Sequence, residues 1–170
     1  MSFQQIRDIL KKMARYHDEL HEFVAAAIEA NGTAIEDDGR REWLMKYVEV
    51  QTRAVSDALA QPPSAGNRII LETWLQYVPD EEIQRCLRKM KSTTNPDWEE
   101  LLEHVEGFDL ALLNFCSTLA DQTSVSDIRE MFEMIGSQSQ HYLEQSVWGM
   151  RSNGGPESNH WVADDEQPVE

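Results

Sequence analysis

Apolar residues recur at three- and four-residue spacing over unusually long stretches of this chain. Near the start they form one stripe, which consists of Phe3, Ile6, Leu10, Met13, His17, Leu20, Val24 and Ala27. This spacing matches one face of an α-helix, whereas a half-buried strand would alternate at every second residue. The stripe predicts a helix from residue 3 to about residue 30, ended at Asn31-Gly32, a residue pair suited to a helix C-terminus.

The same periodicity continues through most of the chain. It predicts three more long helices, over residues 40–60, 97–121 and 126–150, and two shorter helical pieces between residues 67 and 91. Pro62-Pro63 ends the second long helix, because proline lacks the amide donor and clashes with the preceding turn. Asn95 is a candidate N-cap of the third, with Pro96 at its first helical position. We therefore expect an all-α fold, a bundle of four long helices with short crossover helices between the second and third.

The length of 170 residues favours one domain, which we expect to span residues 1–151. Residues 152–170 contain turn formers and five acids but no lysine or arginine, so we expect a disordered acidic tail. Trp161 within this tail is a candidate docking element. Predicted core residues of the bundle include Leu20, Val48, Leu112 and Ile135.

The net charge of −16, from 15 basic and 31 acidic residues, argues against binding to nucleic acid or to anionic membrane surfaces. No apolar run approaches the roughly 20 residues that a membrane span needs, and the N-terminus lacks a secretory signal pattern. A cytoplasmic protein is the expectation. Cys86 and Cys116 are isolated in sequence and suggest neither zinc nor redox chemistry.

Polar residues interrupt the apolar stripe near the middle of each long helix. They are His17, Gln51, Asp109 and Gln138, with His141 one turn further along the fourth helix. Buried polar groups are unfavourable unless they are paired. We therefore expect these five side chains to form a buried polar layer, and we identify no catalytic residue.

The helix arrangement, the crossover and the mid-helix acids and histidines resemble the ferritin-like superfamily, nearest to its rubrerythrin-like members, over roughly residues 3–150. The resemblance implies two iron or manganese ions, held by a Glu from each of two helices and a Glu-x-x-His from each of the other two. The chain departs from that pattern. Thr52 follows Glu49 in the histidine place, and Gln138 precedes His141 in the glutamate place. We therefore expect no cofactor, with iron or manganese as the alternative.

Two further spacings, His17-x3-His21 and His104-x4-Asp109, are similar to the ligand spacings of hemerythrin, another di-iron bundle. The predicted function is a non-enzymatic bundle that acts through contacts with a protein partner, through a homodimer, or by binding a small ligand. One alternative is a di-metal oxidoreductase of rubrerythrin or hemerythrin type. Another is an acidic adaptor whose tail docks a basic partner.

Overall fold

A computed structural model describes residues 1–31, 38–60 and 65–151, and their side chains except at positions 38, 65–67, 139 and 141–151. Within these ranges the chain forms two short strands and six helices, in the order β1 Phe3–Gln5, α1 Ile6–Ala30, α2 Asp38–Ala60, α3 Ala65–Glu72, β2 Trp74–Gln76, α4 Glu81–Ser92, α5 Trp98–Asp121 and α6 Ser126–Arg151. The predicted stop at Pro62-Pro63 and the predicted tail over 152–170 lie outside the described residues. The mostly helical fold expected from the stripes is confirmed.

The four long helices pack in two pairs, α1 against α2 and α5 against α6, and the pairs meet where α2 lies against α6. Helix α4 packs against both α5 and α1. The apolar stripes of all these elements meet in one core, and the four residues predicted for it, Leu20, Val48, Leu112 and Ile135, are buried. This core positions the buried polar side chains of the candidate site.

Two predicted helices, the one that starts at residue 3 and the short one that starts at residue 67, differ from the structure at one end each. Phe3 and the residues after Glu72 were expected to be helical, but Phe3–Gln5 pairs with Trp74–Gln76 as a small antiparallel sheet. The amide of Ile6 donates to the carbonyl oxygen of Thr73, which fastens this sheet to the start of α1. Three-residue strands are too short to show alternation, so the periodicity of the sequence did not reveal this small sheet.

The start of α5 is also shifted from its prediction. Its N-cap is Asp97 rather than Asn95: the Asp97 side chain accepts from the Glu100 amide, and the Glu100 side chain accepts from the Asp97 amide. This reciprocal capping box satisfies two otherwise unbonded amides. Asn95 instead adopts a left-handed conformation, with φ of 48°, because the chain turns before it enters the helix.

Truncation of α5 side chains tests the placement of the core. Leu112 is fully buried, so Leu112→Ala should lower the free energy of unfolding by about 2–5 kcal/mol through lost burial and a residual cavity. Leu110, two residues earlier on the same helix, is 55% exposed, and Leu110→Ala is the matched control. Urea unfolding of both variants measures the difference. Equal losses for the two variants would contradict this assignment of the inward face.

Candidate functional site

Asp109 of α5 lies at the centre of the core, with none of its surface exposed. Its partner is Tyr47 of α2, whose hydroxyl donates a hydrogen bond to Asp109 Oδ2. Gln51, one helical turn beyond Tyr47 and also buried, interacts with the same hydroxyl. Residues four apart share a helix face, so the inward stripe of α2 presents both side chains to α5. The result is a small polar cluster that joins the two helix pairs.

Burial raises the pKa of Asp109 to about 8, because the low-dielectric core disfavours the charged carboxylate. The hydrogen bond from Tyr47 offsets only part of this shift, and the nearby Glu106 raises the pKa further. Burial, and then the charge of Asp109, raise the pKa of Tyr47 far above its ordinary value. At neutral pH the pair is therefore a carboxylic acid and a phenol rather than two ions. Asp109 Oδ1 has no hydrogen-bond partner among the described side chains.

His17 of α1 is buried but is engaged elsewhere. Its Nδ1 donates to the carbonyl oxygen of Met13 at 2.9 Å, and its ring meets the Phe108 ring edge-on with centroids 5.6 Å apart. Burial lowers the pKa of His17, so the imidazole is neutral at pH 7. This histidine is thus satisfied by its own helix and packs as an aromatic residue.

The structure joins Gln51 and Asp109 of the expected polar layer and engages His17 in other contacts. Gln51 and Asp109 meet through Tyr47, whereas the described contacts of His17 are with Met13 and Phe108. Gln138 is half-buried on α6, and the side chain of His141 lies outside the described residues. Sequence reasoning missed Tyr47 as a cluster member. Its four-residue spacing from Gln51 was the available signal.

A second buried aspartate ties α1 to the start of α4. Asp80, 3% exposed, accepts a hydrogen bond from the Tyr16 hydroxyl, and Lys12 Nζ lies 3.1 Å from Asp80 Oδ2. Gln84 Nε2 donates to Oδ1 at 3.0 Å. Burial alone would raise the pKa of Asp80, but these hydrogen bonds and the Lys12 charge together hold it below its ordinary value. Burial and the bond to Asp80 raise the pKa of Tyr16 to about 12.

Each of the two aspartates accepts a hydrogen bond from a tyrosine of its own, but they differ in whether a cation lies beside the carboxyl group. Asp80 has Lys12 beside it and is ionised, whereas the groups that influence the pKa of Asp109 include no base and its pKa is raised. Asp80 was not among the candidates from sequence. The structure makes it the N-cap of α4, and its side chain bonds Tyr16 of α1 and the Gln84 side chain of α4 rather than a backbone amide of its own helix.

The residues expected for a di-metal site point in different directions. His21, Glu49 and Thr52 line an open surface cleft of about 440 Å³ between α1 and α2. His104 bonds Thr93 Oγ1 at 3.0 Å and packs edge-on against Phe23. Throughout the described part of the chain, no three His, Cys, Asp or Glu side chains are grouped so that they could hold a metal ion.

The residues around Asp109 do not fit a pair of iron or manganese ions. Such ions need several anionic oxygens. The described residues around Asp109 offer its own carboxyl, already bonded to Tyr47, the neutral amide of Gln51 and the nearby Glu106, which are too few for two ions. The cysteines add no reactive group. Burial raises the pKa of Cys116 to about 12 and also raises the pKa of Cys86, so both remain thiols.

A groove opens on the surface between α3 and α6, beside the C-terminal end of α2. Its volume is about 300 Å³, and its lining residues are Ala58, Ile70, Leu71, Asp127, Glu130, Met131 and Met134. Apolar side chains form its walls, and two acids stand on the α6 side. No metal or catalytic geometry accompanies it among the described residues.

Comparison of the chain with models of known protein families, with curated proteins and with solved structures finds no match. The part of the chain that the structure describes contains no helix both long and apolar enough to cross a membrane. Function must therefore be argued from the geometry above.

The raised pKa of Asp109 predicts a specific dependence of stability on pH. The unfolded carboxyl loses its proton near pH 4 and the folded one near pH 8, so folding stability falls as pH rises between these values. Asp109→Asn keeps an oxygen that accepts from Tyr47 and removes the titration. Its free energy of unfolding should therefore rise relative to the unmodified protein by about 1 kcal/mol per pH unit across that window.

Urea unfolding at several pH values measures this difference. Exposed Asp121, on the same helix, supplies the control variant Asp121→Asn. A stability difference between Asp109→Asn and the unmodified protein that stays flat from pH 4 to pH 8 would show that Asp109 is ionised in the core.

Removing the cation beside Asp80 should give a change in stability whose pH dependence has the opposite sign. Lys12→Met leaves the ionised carboxylate with hydrogen bonds but no countercharge, so we expect a loss of about 1–3 kcal/mol at pH 7. The Asp80 contribution is present above its unfolded pKa and is lost as pH falls, so the loss should shrink in acid. Exposed Lys11 gives the control variant Lys11→Met. Equal melting temperatures for the two variants at pH 7 would contradict this assignment.

Proposed function

We propose that this chain is a ferritin-like four-helix bundle protein without a di-metal centre and without enzymatic activity, and that it functions by binding a protein partner. The observation that carries the proposal is the closed Tyr47–Asp109 pair. Asp109, which is fully buried in the core, is held by a phenol from the facing helix. Chemistry at that position would need this pair to be opened.

The ferritin-like part of the proposal rests on the order and packing of the helices. Two pairs of long helices, α1 with α2 and α5 with α6, are separated in sequence by α3 and α4. This is the layout of bundles with one crossover between their halves. Fold kinship by itself says nothing about activity, so the site has to decide that question.

The site argues against the family's metal chemistry. On α2 the Glu49 and Thr52 side chains line a surface cleft, and Gln51 is the buried residue between them. A Glu-x-x-His pair at Glu49 and Thr52 would therefore face outward. The inward position carries an amide, which brings no charge to compensate a divalent ion.

One atom favours the di-metal oxidoreductase alternative. Asp109 Oδ1 is buried and has no hydrogen-bond partner among the described side chains, as a displaced ligand atom would be. A proton on this carboxyl, which the raised pKa favours, is a simpler account because it needs no second anion. The adaptor alternative depends on the tail, residues 152–170, which lies outside the described residues.

Binding is favoured over catalysis by the state of the nucleophiles and bases. His17 donates to a backbone carbonyl oxygen, and the buried Cys116 has a pKa of about 12, so neither is poised to transfer a proton or attack a substrate. The large negative charge and the surface clefts remain as the features that can act. A net charge of −16 attracts cationic partners and repels anionic ones.

Metal content and a carboxylate-restoring variant test the proposal. Protein purified without chelator should carry well under one equivalent of iron, manganese or zinc per chain. Gln51→Glu with Gln138→Glu should destabilise the fold by several kcal/mol, because one carboxylate enters the core and a second enters a half-buried position on α6, neither with an added countercharge. The matched control is Gln76→Glu with Gln122→Glu, at exposed positions.

Elemental analysis and thermal unfolding provide the two measurements. Two metal ions per chain with oxygen-dependent absorbance in the unmodified protein would overturn the proposal. A double variant that gains metal and becomes more stable on metal addition would show that the ligand geometry persists and only the carboxylates were lost.

A further inference from the structure

The groove between α3 and α6 combines apolar walls with one-sided charge. Ile70 and Leu71 come from α3, while Met131 and Met134 come from α6. Met134 is 49% exposed, which is unusual for a large apolar side chain with a packed core beside it. Apolar surface that remains accessible beside a rim of charge is the composition of a binding groove.

The groove follows from how the crossover is placed. Helix α3 packs against α1, whereas α6 packs against α5 and α2. The faces of α3 and α6 that look toward each other are thus left apart at the end of α2, where Ala58 is too small to fill the space. The groove therefore lies between two helices, α3 and α6, that each pack against other helices of the core.

Charge decides which occupant suits this groove. The two charged residues among its described lining, Asp127 and Glu130, are both acids one turn apart on α6. A second copy of the chain would bring a net charge of −16, and residues 152–170 carry five acids without a base. Both would be repelled, whereas lysine or arginine beside apolar side chains would be attracted.

We propose that the groove between α3 and α6 binds a cationic amphipathic helix of a partner protein. The inference rests on the proposed binding function and names its partner class. Apolar side chains of the partner helix pack on Met131 and Met134, and its lysines or arginines lie against Asp127 and Glu130. This is helix-in-groove recognition, in which anchors at three- and four-residue spacing carry the contact.

The methionines fit this role for a physical reason. Met131 and Met134 are three residues apart and share one face of α6, so together they form a continuous apolar strip. Methionine is unbranched and polarizable, and it adapts to anchors of different shape. A volume of about 300 Å³ is at the lower end of the range for ligand pockets, which suits a few side chains better than a large cofactor.

A designed peptide serves as the probe because the natural partner is unidentified. It consists of leucine and lysine over about 14 residues, roughly four helical turns, with the leucines on one face. A scrambled peptide of the same composition has the charge without the apolar face. Fluorescence anisotropy of each labelled peptide with the full chain measures binding, and the amphipathic peptide should bind more tightly than the scrambled one.

Two matched pairs of variants locate the binding. Met134→Gln should weaken binding about tenfold by removing apolar contact, while Leu110→Gln, at a 55% exposed position on α5, should leave it unchanged. Glu130→Gln should weaken binding about threefold, while Glu133→Gln should not, because Glu133 lines a different cleft, between α5 and α6. Both glutamates lie exposed on α6, so each change alters the net charge equally.

Other outcomes overturn the inference in distinguishable ways. Equal weakening by Glu130→Gln and Glu133→Gln, or equal binding of the scrambled peptide, would show attraction by charge alone. Sedimentation showing a dimer that Met134→Gln disrupts would make a second copy the occupant. Absence of binding in a metal-free preparation would remove the groove proposal and leave the proposed function standing. Groove-specific binding in a preparation with two metal ions per chain would support the groove proposal and overturn the proposed function.

Discussion

A carboxylate taken out of water must be compensated, and two buried aspartates meet this constraint at the junctions of the fold. Asp80 ties α1 to α4 as an ion, supported by Lys12, Tyr16 and Gln84, and Asp109 ties α5 to α2 through the hydrogen bond that the Tyr47 hydroxyl donates. The first is stabilised by charge and the second by holding its proton. Either solution helps to fix which helices lie together, because an apolar residue in place of Tyr47 or Tyr16 would remove a hydrogen bond from a buried aspartate.

The same constraint shapes what the protein can do. A metal centre needs carboxylates that are anionic and free to turn toward an ion, and Asp109 is neither at neutral pH. A tyrosine facing the only fully buried acid among the described residues converts a ligand position into a structural contact. The proposed ferritin-like layout is therefore compatible with the proposed function, which involves no metal chemistry. The fold depends on the apolar stripes, and these tolerate one neutral polar pair at the centre.

The long helices could be predicted from sequence because their stripes repeat over six or more turns, which averages out local exceptions such as His17. The sheet could not, since three residues of β1 and three of β2 are too few to define a period, and their pairing joins residues far apart in sequence. The inward positions of Gln51 and Asp109 followed from periodicity, but their link through Tyr47 did not. A tyrosine on a stripe looks apolar until the opposite helix places an acceptor at its hydroxyl. Asp80 was missed for the same reason, because Lys12 and Tyr16 are its partners only once α1 and α4 are packed.

The states of the two buried aspartates also indicate where the negative charge of the protein can attract a partner. Asp109 holds its proton and Asp80 is paired, so neither buried acid supplies free negative charge for a contact with a partner. At physiological ionic strength the field of exposed acids is screened over about 8 Å, and only acids close to a binding surface contribute strongly to one contact. In the groove between α3 and α6, Asp127 and Glu130 line the same opening as Met131 and Met134. A partner with positive charge alone could bind at many acids of this protein, so it would not select the groove. A partner with apolar surface alone would have to displace water from the acids beside the groove, which is unfavourable. A cationic amphipathic helix would gain both apolar contact and charge attraction at the groove, and that combination is the basis of the proposed specificity.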